Sequence, residues 1–451
     1  MFLPEDVSPE FEPTPAGGIA VSGAPAQFTL LTAARLLDGS GNPPLESAAL
    51  LIEGGRIAGF GRQGDMRPPD GAQVERVDYG DATILPGLVD AHTHLISPGD
   101  GTPGDDTARE DDEILLLRAA KNVRTILHSG VTTARDNGAK NHVAFSLREG
   151  LQRGFTVGPR VVVCGRPITM TGGHMWYFGS EADGEDGARA EVRKLLKEGA
   201  DYIKIVASGG STRSSDWRRA SYTVAELQAI TDESHRRGKL TAAHCACAQS
   251  VENCLDAGVD MIVHCVFTEA DGSYRSRQDL VDRLAKAGAW VNPTLYILRA
   301  AIKHLTKARE RQGKLPSHQE RLLEWTKREL EVRLEAVGRM IRAGVRIVAG
   351  SDSPWNAYAP GGFSYEIETM AQAGLSNGDA IVSGTAAAAE SIGVGDVAGR
   401  LTPGREADVL VVTGDPTRDL AALHQVLDIY QGGRRVEREE RQVPITESTI
   451  G

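Results

Sequence analysis

Eight short apolar runs, each followed by a longer helix-like stretch, govern what this chain can fold into. They read ILPGLVDAHTHL, GVTTARDNG, PRVVVCGRPIT, DYIKIVASGG, LTAAHCA, VDMIVHC, AWVNPTLY and VRIVAGSDSP. Strand alternating with helix predicts a parallel sheet covered by helices. The stretch TVAELQAITDESHRRG opens with a capping box, Thr223 with Glu226 three residues on, and ends in Gly shortly before the next strand. Eight such units predict an α/β chain whose centre, residues 86–397, is a (β/α)8 TIM barrel, a fold that carries catalytic groups at the C-terminal ends of its strands.

The two flanks have a different texture. Residues 28–85 and 398–441 consist of short β-like pieces, with Gly54-Gly55 and Gly432-Gly433 as two-residue turns. They predict a smaller composite β-sandwich domain built from both ends of the chain. Residues 1–27 are acidic and rich in Pro and Gly, and read as a flexible arm without the basic and apolar regions of a secretory signal. The segment AIKHLTKARERQGKLPSHQERLLEWTKRELEVRLEAVGRMIRAG, longer than one barrel helix requires, predicts a helical hairpin bent between Gly313 and Pro316. Its charged face reads as solvated or in contact with another subunit, and a homo-oligomer is expected.

Composition narrows the partners. A net charge of -11 without a basic stripe argues against a nucleic-acid surface. No run approaches the roughly 18 apolar residues of a membrane span. Five cysteines, an odd number, do not form a disulfide framework, so a reducing cytoplasm is the expected compartment. A small-molecule substrate remains.

Particular polar residues interrupt the apolar runs at strand ends. His92 and His94 are two apart, so both rings project from one face of a strand. Lys204 lies between Ile203 and Ile205, where a buried ammonium needs a partner or a changed charge state. Carboxylation by carbon dioxide is one answer, since it creates an anion able to bridge two cations. His244, His264 and Asp352 close three further runs, and Asp352 suits an acid/base role. Mixed imidazole and carboxylate donors suit zinc, with cobalt or manganese as alternatives. His174, in MTGGHMW, and Tyr222, in RRASYTVAEL, are candidates to contact a substrate carbonyl. Cys245, Cys247 and Cys265 sit beside these positions, but alternation turns residues 245 and 265 away from the metal-facing side.

The ordered set PGLVDAHTHL, MTGGH, DYIKIVASGG, AAHC, IVHC, AGSDSP and GRLTPGREADVLVV resembles the amidohydrolase superfamily over residues from about 28 to 440. The likeness is greatest to an imidazolonepropionase-related branch that holds Xaa-Pro and Xaa-Arg dipeptidases and hydrolases of aryl ureas, carbamates, thiocarbamates and ochratoxin. It implies two zinc ions: His92, His94 and Asp352 on the more buried one, His244 and His264 on the outer one, and N6-carboxylated Lys204 between them. A hydroxide activated there attacks a carbonyl, and Asp352 passes its proton to the leaving amine. The chain departs from the dipeptidase pattern in GSDSPWNAYAPGGFSYEIE, which has no histidine, and in Val263 before His264. Those departures favour a urea or carbamate substrate over an Xaa-Pro or Xaa-Arg dipeptide or an N-acyl amino acid. A deaminase of the same superfamily is a lesser alternative, because CACAQS rather than a glutamate follows His244.

Overall fold

The structure, a computed structural model, describes residues 28–438. The arm read at residues 1–27 lies outside them. Five strands open the described chain: β1 (Phe28–Leu36), β2 (Leu45–Glu53), β3 (Arg56–Arg62), β4 (Val74–Asp78) and β5 (Ala82–Pro86). Eight follow with helices between most of them: β6 (Leu88–Thr93), β7 (Val131–Asp136), β8 (Arg160–Val163), β9 (Ile203–Val206), β10 (Thr241–His244), β11 (Met261–Val263), β12 (Trp290–Asn292) and β13 (Arg346–Ile347). Three more, β14 (Val409–Thr413), β15 (Val426–Gln431) and β16 (Arg434–Arg435), end it. All eight apolar runs read from the sequence contain a strand.

Strands from both flanks join one eight-stranded sheet in the order β16-β15-β14-β5-β1-β2-β3, with β4 beside β1. The seam between the flanks is the antiparallel pair β5–β14, with Ala82 opposite Thr413 and Pro86 opposite Val409. Both glycine pairs form the turns their sequence predicts. Gly54 and Gly55 have positive φ and let Glu53 pair with Arg56; Gly432 and Gly433 do the same for Gln431 and Arg434. Along β1, Leu31 and Ala33 enter one apolar cluster and Phe28 and Leu30 another, as a period of two requires.

The run ILPGLVDAHTHL divides at Gly87, so its first half serves the flank sheet and its second half the central strands. A Cβ at Gly87 would lie 2.1 Å from Thr132 Oγ1, leaving no room for a side chain where the chain crosses. This crossing fixes the start of β6 and hence the position of His92 and His94.

The central strands form two parallel ladders, β6-β7-β8 and β9 to β13. Isolated parallel bridges link them: Ile168 with Ile205 beyond β8, and Thr93 with Ser353 beyond β13. Strands β6, β7, β9, β10 and β11 are buried throughout, as expected of parallel strands covered on both faces. The capping box forms, with Glu226 N–H donating to Thr223 Oγ1 at 3.3 Å and Thr223 N–H to Glu226 Oε2 at 2.9 Å. The charged segment after β12 is the hairpin its sequence predicts, Tyr296–Gln312 and Ser317–Arg342, turning at Gly313. Leu305, Leu315 and Leu323 form its buried seam. Among the described residues, no helix is long and apolar enough to cross a membrane.

Candidate metal centre

The segment after β13 runs beside the end of β6. Asp352 N–H donates to His92 O at 2.8 Å, and His94 N–H to Ser353 O at 3.0 Å. Buried Asp90 locks the two segments together, accepting from His92 N (3.1 Å), Ser351 N (2.9 Å) and Ser351 Oγ (2.6 Å). Non-glycine residues in the left-handed region gather here: Asp352 (φ 61), His264 (φ 64), Thr294 (φ 50) and Met175 (φ 62). Such strain persists only where the surroundings over-determine the backbone, and it concentrates at functional sites.

His92, His94 and Asp352 converge into one buried group. His92 Nε2 lies 3.3 Å from His94 Nε2 and 3.2 Å from Asp352 Oδ1, and His94 Nε2 lies 3.3 Å from the same oxygen. Tetrahedral zinc at bond lengths of about 2.0–2.1 Å spaces its donors by roughly 3.3–3.4 Å. The triangle therefore fits one such ion.

Hydrogen bonds assign the protons. Asn292 Nδ2 donates to the carbonyls of Val348 (3.3 Å) and Gly350 (3.1 Å), which turns Asn292 Oδ1 toward His92 Nδ1 at 3.0 Å. His92 Nδ1 must then carry the proton, and so must His94 Nδ1, which faces the Gly138 carbonyl at 3.4 Å. Two imidazole lone pairs and a carboxylate oxygen thus face one another without a proton between them, an arrangement a cation resolves. Burial, reinforced by the Lys204 charge, lowers His92 to about 3. Burial would raise the Asp352 carboxyl, and positive charge at the His92 and His94 side lowers it well below the carboxylate range; with both Nε2 atoms unprotonated, that charge is what a bound cation would supply. Neutral imidazoles and an ionised carboxylate are the states that bind metal. Asn292→Ala, which frees the His92 ring, should weaken metal affinity by about 10- to 100-fold, checked by competition with a chromogenic chelator.

Lys204 is 1% exposed, and its Nζ donates to Asn137 Oδ1 at 3.1 Å. Burial first, then the Arg135 charge, lowers its ammonium to about 8. His244 and His264 pack with ring centroids 4.6 Å apart, and His264 lies 5.6 Å from His92. His244 Nε2 sits 3.1 Å from the Gly209 carbonyl, so Nε2 carries the proton and Nδ1 keeps the lone pair. His264 Nδ1 is 2.6 Å from Thr294 Oγ1, which leaves Nε2 for other work. Burial lowers both rings well below the ordinary histidine range.

His174 packs on His244, with centroids 4.8 Å apart. Its Nδ1 accepts from Thr212 N–H at 3.4 Å and meets Thr212 Oγ1 at 2.7 Å, so its proton is on Nε2, where it can donate. A Cβ at Gly210 would strike the His174 ring at 2.4 Å. Tyr222 stands apart: it is buried, and its hydroxyl donates to the Ala182 carbonyl at 2.9 Å.

The aromatic residues around the site divide. Trp355 packs on His94 with centroids 4.7 Å apart, and Tyr177 and Trp355 close around Gly104. Tyr358 instead packs under Tyr296, and Trp176 is exposed. All five cysteines are buried and free, and Cys245 Sγ meets Cys254 Sγ at 3.6 Å rather than the metal group. The sequence reading missed Asn292, Asp90 and Asn137. A polar residue closing an apolar strand, as in WVN, VD and RDN, was the available signal.

The amidohydrolase family model matches residues 83–436. Ochratoxinase of Aspergillus niger is 26% identical over 474 aligned positions, covering 96% of this chain and 91% of that protein. The crystal structure of a Xaa-Pro dipeptidase with methionine in its active site aligns with a TM-score of 0.77 at 25% identity, covering 91% of this chain and 100% of that one. Molinate hydrolase, at 20% identity and a TM-score of 0.74 over 91% of this chain and 95% of its own, shares the fold alone. A family match across most of the chain, over strands that bring two histidines and an aspartate to one buried point, makes this protein a member of the amidohydrolase family.

Proposed function

We propose that this protein is a metal-dependent hydrolase that cleaves the carbon–nitrogen bond of an amide bearing an aromatic or apolar group. The observation that carries the reading is the proton-free triangle of His92, His94 and Asp352. A zinc, cobalt or manganese ion bound there supplies an acidified water and polarises a carbonyl. His244, His264 and N6-carboxylated Lys204 complete a two-ion set; for the two histidines this is supported by ring packing and by the lone pairs their hydrogen bonds leave free, and for Lys204 by its burial within β9. Asp352 Oδ1 faces the histidines, and its second oxygen takes the proton of the attacking water and returns it to the leaving amine. His174 donates from Nε2 to the developing oxyanion. Tyr222 joins it only by leaving Ala182.

The eight central strands read as a (β/α)8 barrel over residues 86–397, and the flank sheet as a composite β domain of residues 28–85 and 398–441. That division is supported by the two bridges linking the ladders and by the β5–β14 seam. An amide is favoured over the urea or carbamate first suggested by the sequence, because an ochratoxinase and a Xaa-Pro dipeptidase are among the relatives at 25% identity or above that cover most of this chain, while the molinate and phenylurea hydrolases share the fold at 20% and 19%. Trp355 beside His94 favours an apolar substrate group in either case. Hydrolysis by zinc- or cobalt-loaded protein, followed by mass spectrometry on aryl amides, N-acyl amino acids, Xaa-Pro dipeptides, phenylureas and thiocarbamates, tests it. Amine release from the amides is expected. Release from the ureas or thiocarbamates alone would transfer the assignment to them, and none from any would overturn it.

A further inference from the structure

A second interior layer lies beneath the metal group. Arg135 on β7 and Asn137 just after it are two residues apart, as are Tyr202 just before β9 and Lys204 within it, so each pair projects from one face of its strand. Contacts between the strands bear out both layers. In the upper one Asn137 Oδ1 accepts from Lys204 Nζ at 3.1 Å; in the lower one the Arg135 guanidinium stands over the Tyr202 ring, 4.7 Å from its centroid. Arg135 is 1% exposed, and the groups it touches are neutral: Nε donates to the Ala91 carbonyl at 2.9 Å, a terminal nitrogen meets the Met261 sulfur, and the ring is that of Tyr202. Asp90, two residues before His92 and so in the same lower layer, has its oxygens engaged by the N–H groups of His92 and Ser351 and by the Ser351 hydroxyl. A buried cation with only neutral partners is costly unless an anion lies near it. An anion at Lys204 would be one layer away.

We propose that Arg135 is a positioning residue for the metal centre: its unpaired charge, one layer beneath Lys204, holds that lysine as the N6-carboxylate anion. The proposal rests on the two-ion reading above and deepens it. In the step concerned, the lone pair of Lys204 Nζ forms a bond to the carbon of carbon dioxide, a C–O π pair moves onto oxygen, and one nitrogen proton leaves to a bicarbonate ion. The side chain gains a negative charge, and its remaining N–H can still donate to Asn137. Residues two apart in a strand are separated by about 7 Å. Unit charges at that distance, at an effective dielectric of about 20, bias the equilibrium toward the anion by about 10- to 100-fold. Burial and then the Arg135 charge disfavour the ammonium of Lys204, in the same sense.

The test follows the carbamate carbon by nuclear magnetic resonance as metal-free protein, depleted of carbon dioxide, is reloaded with zinc and carbon-13 bicarbonate. Wild type should give a signal that Lys204→Met lacks. Arg135→Met should need about 10- to 100-fold more bicarbonate for half of that signal. Arg135→Lys, which returns the charge, should recover most of the loss. Met261→Glu gives Arg135 a bonded anion and should behave like Arg135→Met, whereas the neutral Met261→Gln should match wild type. That pair decides the matter if circular dichroism shows that Arg135→Met does not fold. Equal bicarbonate requirements in wild type and Arg135→Met, or equal shifts in Met261→Glu and Met261→Gln, would overturn the role of Arg135 and leave the carboxylated lysine standing. Wild type without a signal that depends on Lys204 would end both.

Discussion

Asp352→Asn will lower turnover by about a thousandfold with the fold intact, and the variant will hold less metal than wild type. Asn is the substitution that isolates charge. Asp352 has φ 61, a region that Asn tolerates better than most residues, and its backbone N–H to His92 O is unaffected. The side-chain amide can also turn its NH2 toward the His92 and His94 lone pairs, 3.2 and 3.3 Å from the present oxygen. Those acceptors would then be satisfied by hydrogen bonds, and the site would no longer need a cation. Metal content by plasma mass spectrometry and kcat on whichever substrate the wild type cleaves are the readouts. Wild-type turnover with full metal would remove Asp352 both as ligand and as proton carrier.

The difference between Asp352 and Asn292 marks what sequence could reveal. Asp352, His92 and His94 close apolar runs with side chains that are expensive to bury unpaired, so their cost announces them. Asn292 also closes a strand, but an amide is cheap to bury once bonded. Its importance lies in the Val348 and Gly350 carbonyls that orient it, 56 and 58 residues away. The Gly-Gly turns and the capping box were legible because their chemistry is local. The division of ILPGLVDAHTHL was not, since Gly87 is demanded by Thr132, which arrives from a different strand.

Replacing Lys204 with methionine should be nearly as damaging as the change at Asp352, and pH separates its chemical role from a packing role. Methionine preserves most of the stem in a site that is 1% exposed, so the main losses are the amine and its bond to Asn137. Burial and the Arg135 charge lower the wild-type ammonium to about 8. Its neutral share therefore grows as pH rises through that value, and only the neutral amine can attack carbon dioxide. Metal-free wild type reconstituted with zinc and bicarbonate should recover more metal and activity at pH 9 than at pH 6. Bicarbonate should matter most at the higher pH. Lys204→Met should show no bicarbonate dependence and turn over about a thousandfold more slowly or worse. A variant that folds, binds its full metal complement and works at the wild-type rate would mean that Lys204 is an amine buried against Asn137 and nothing more. Loss of activity with the bicarbonate response retained would place the carboxylated group on another residue.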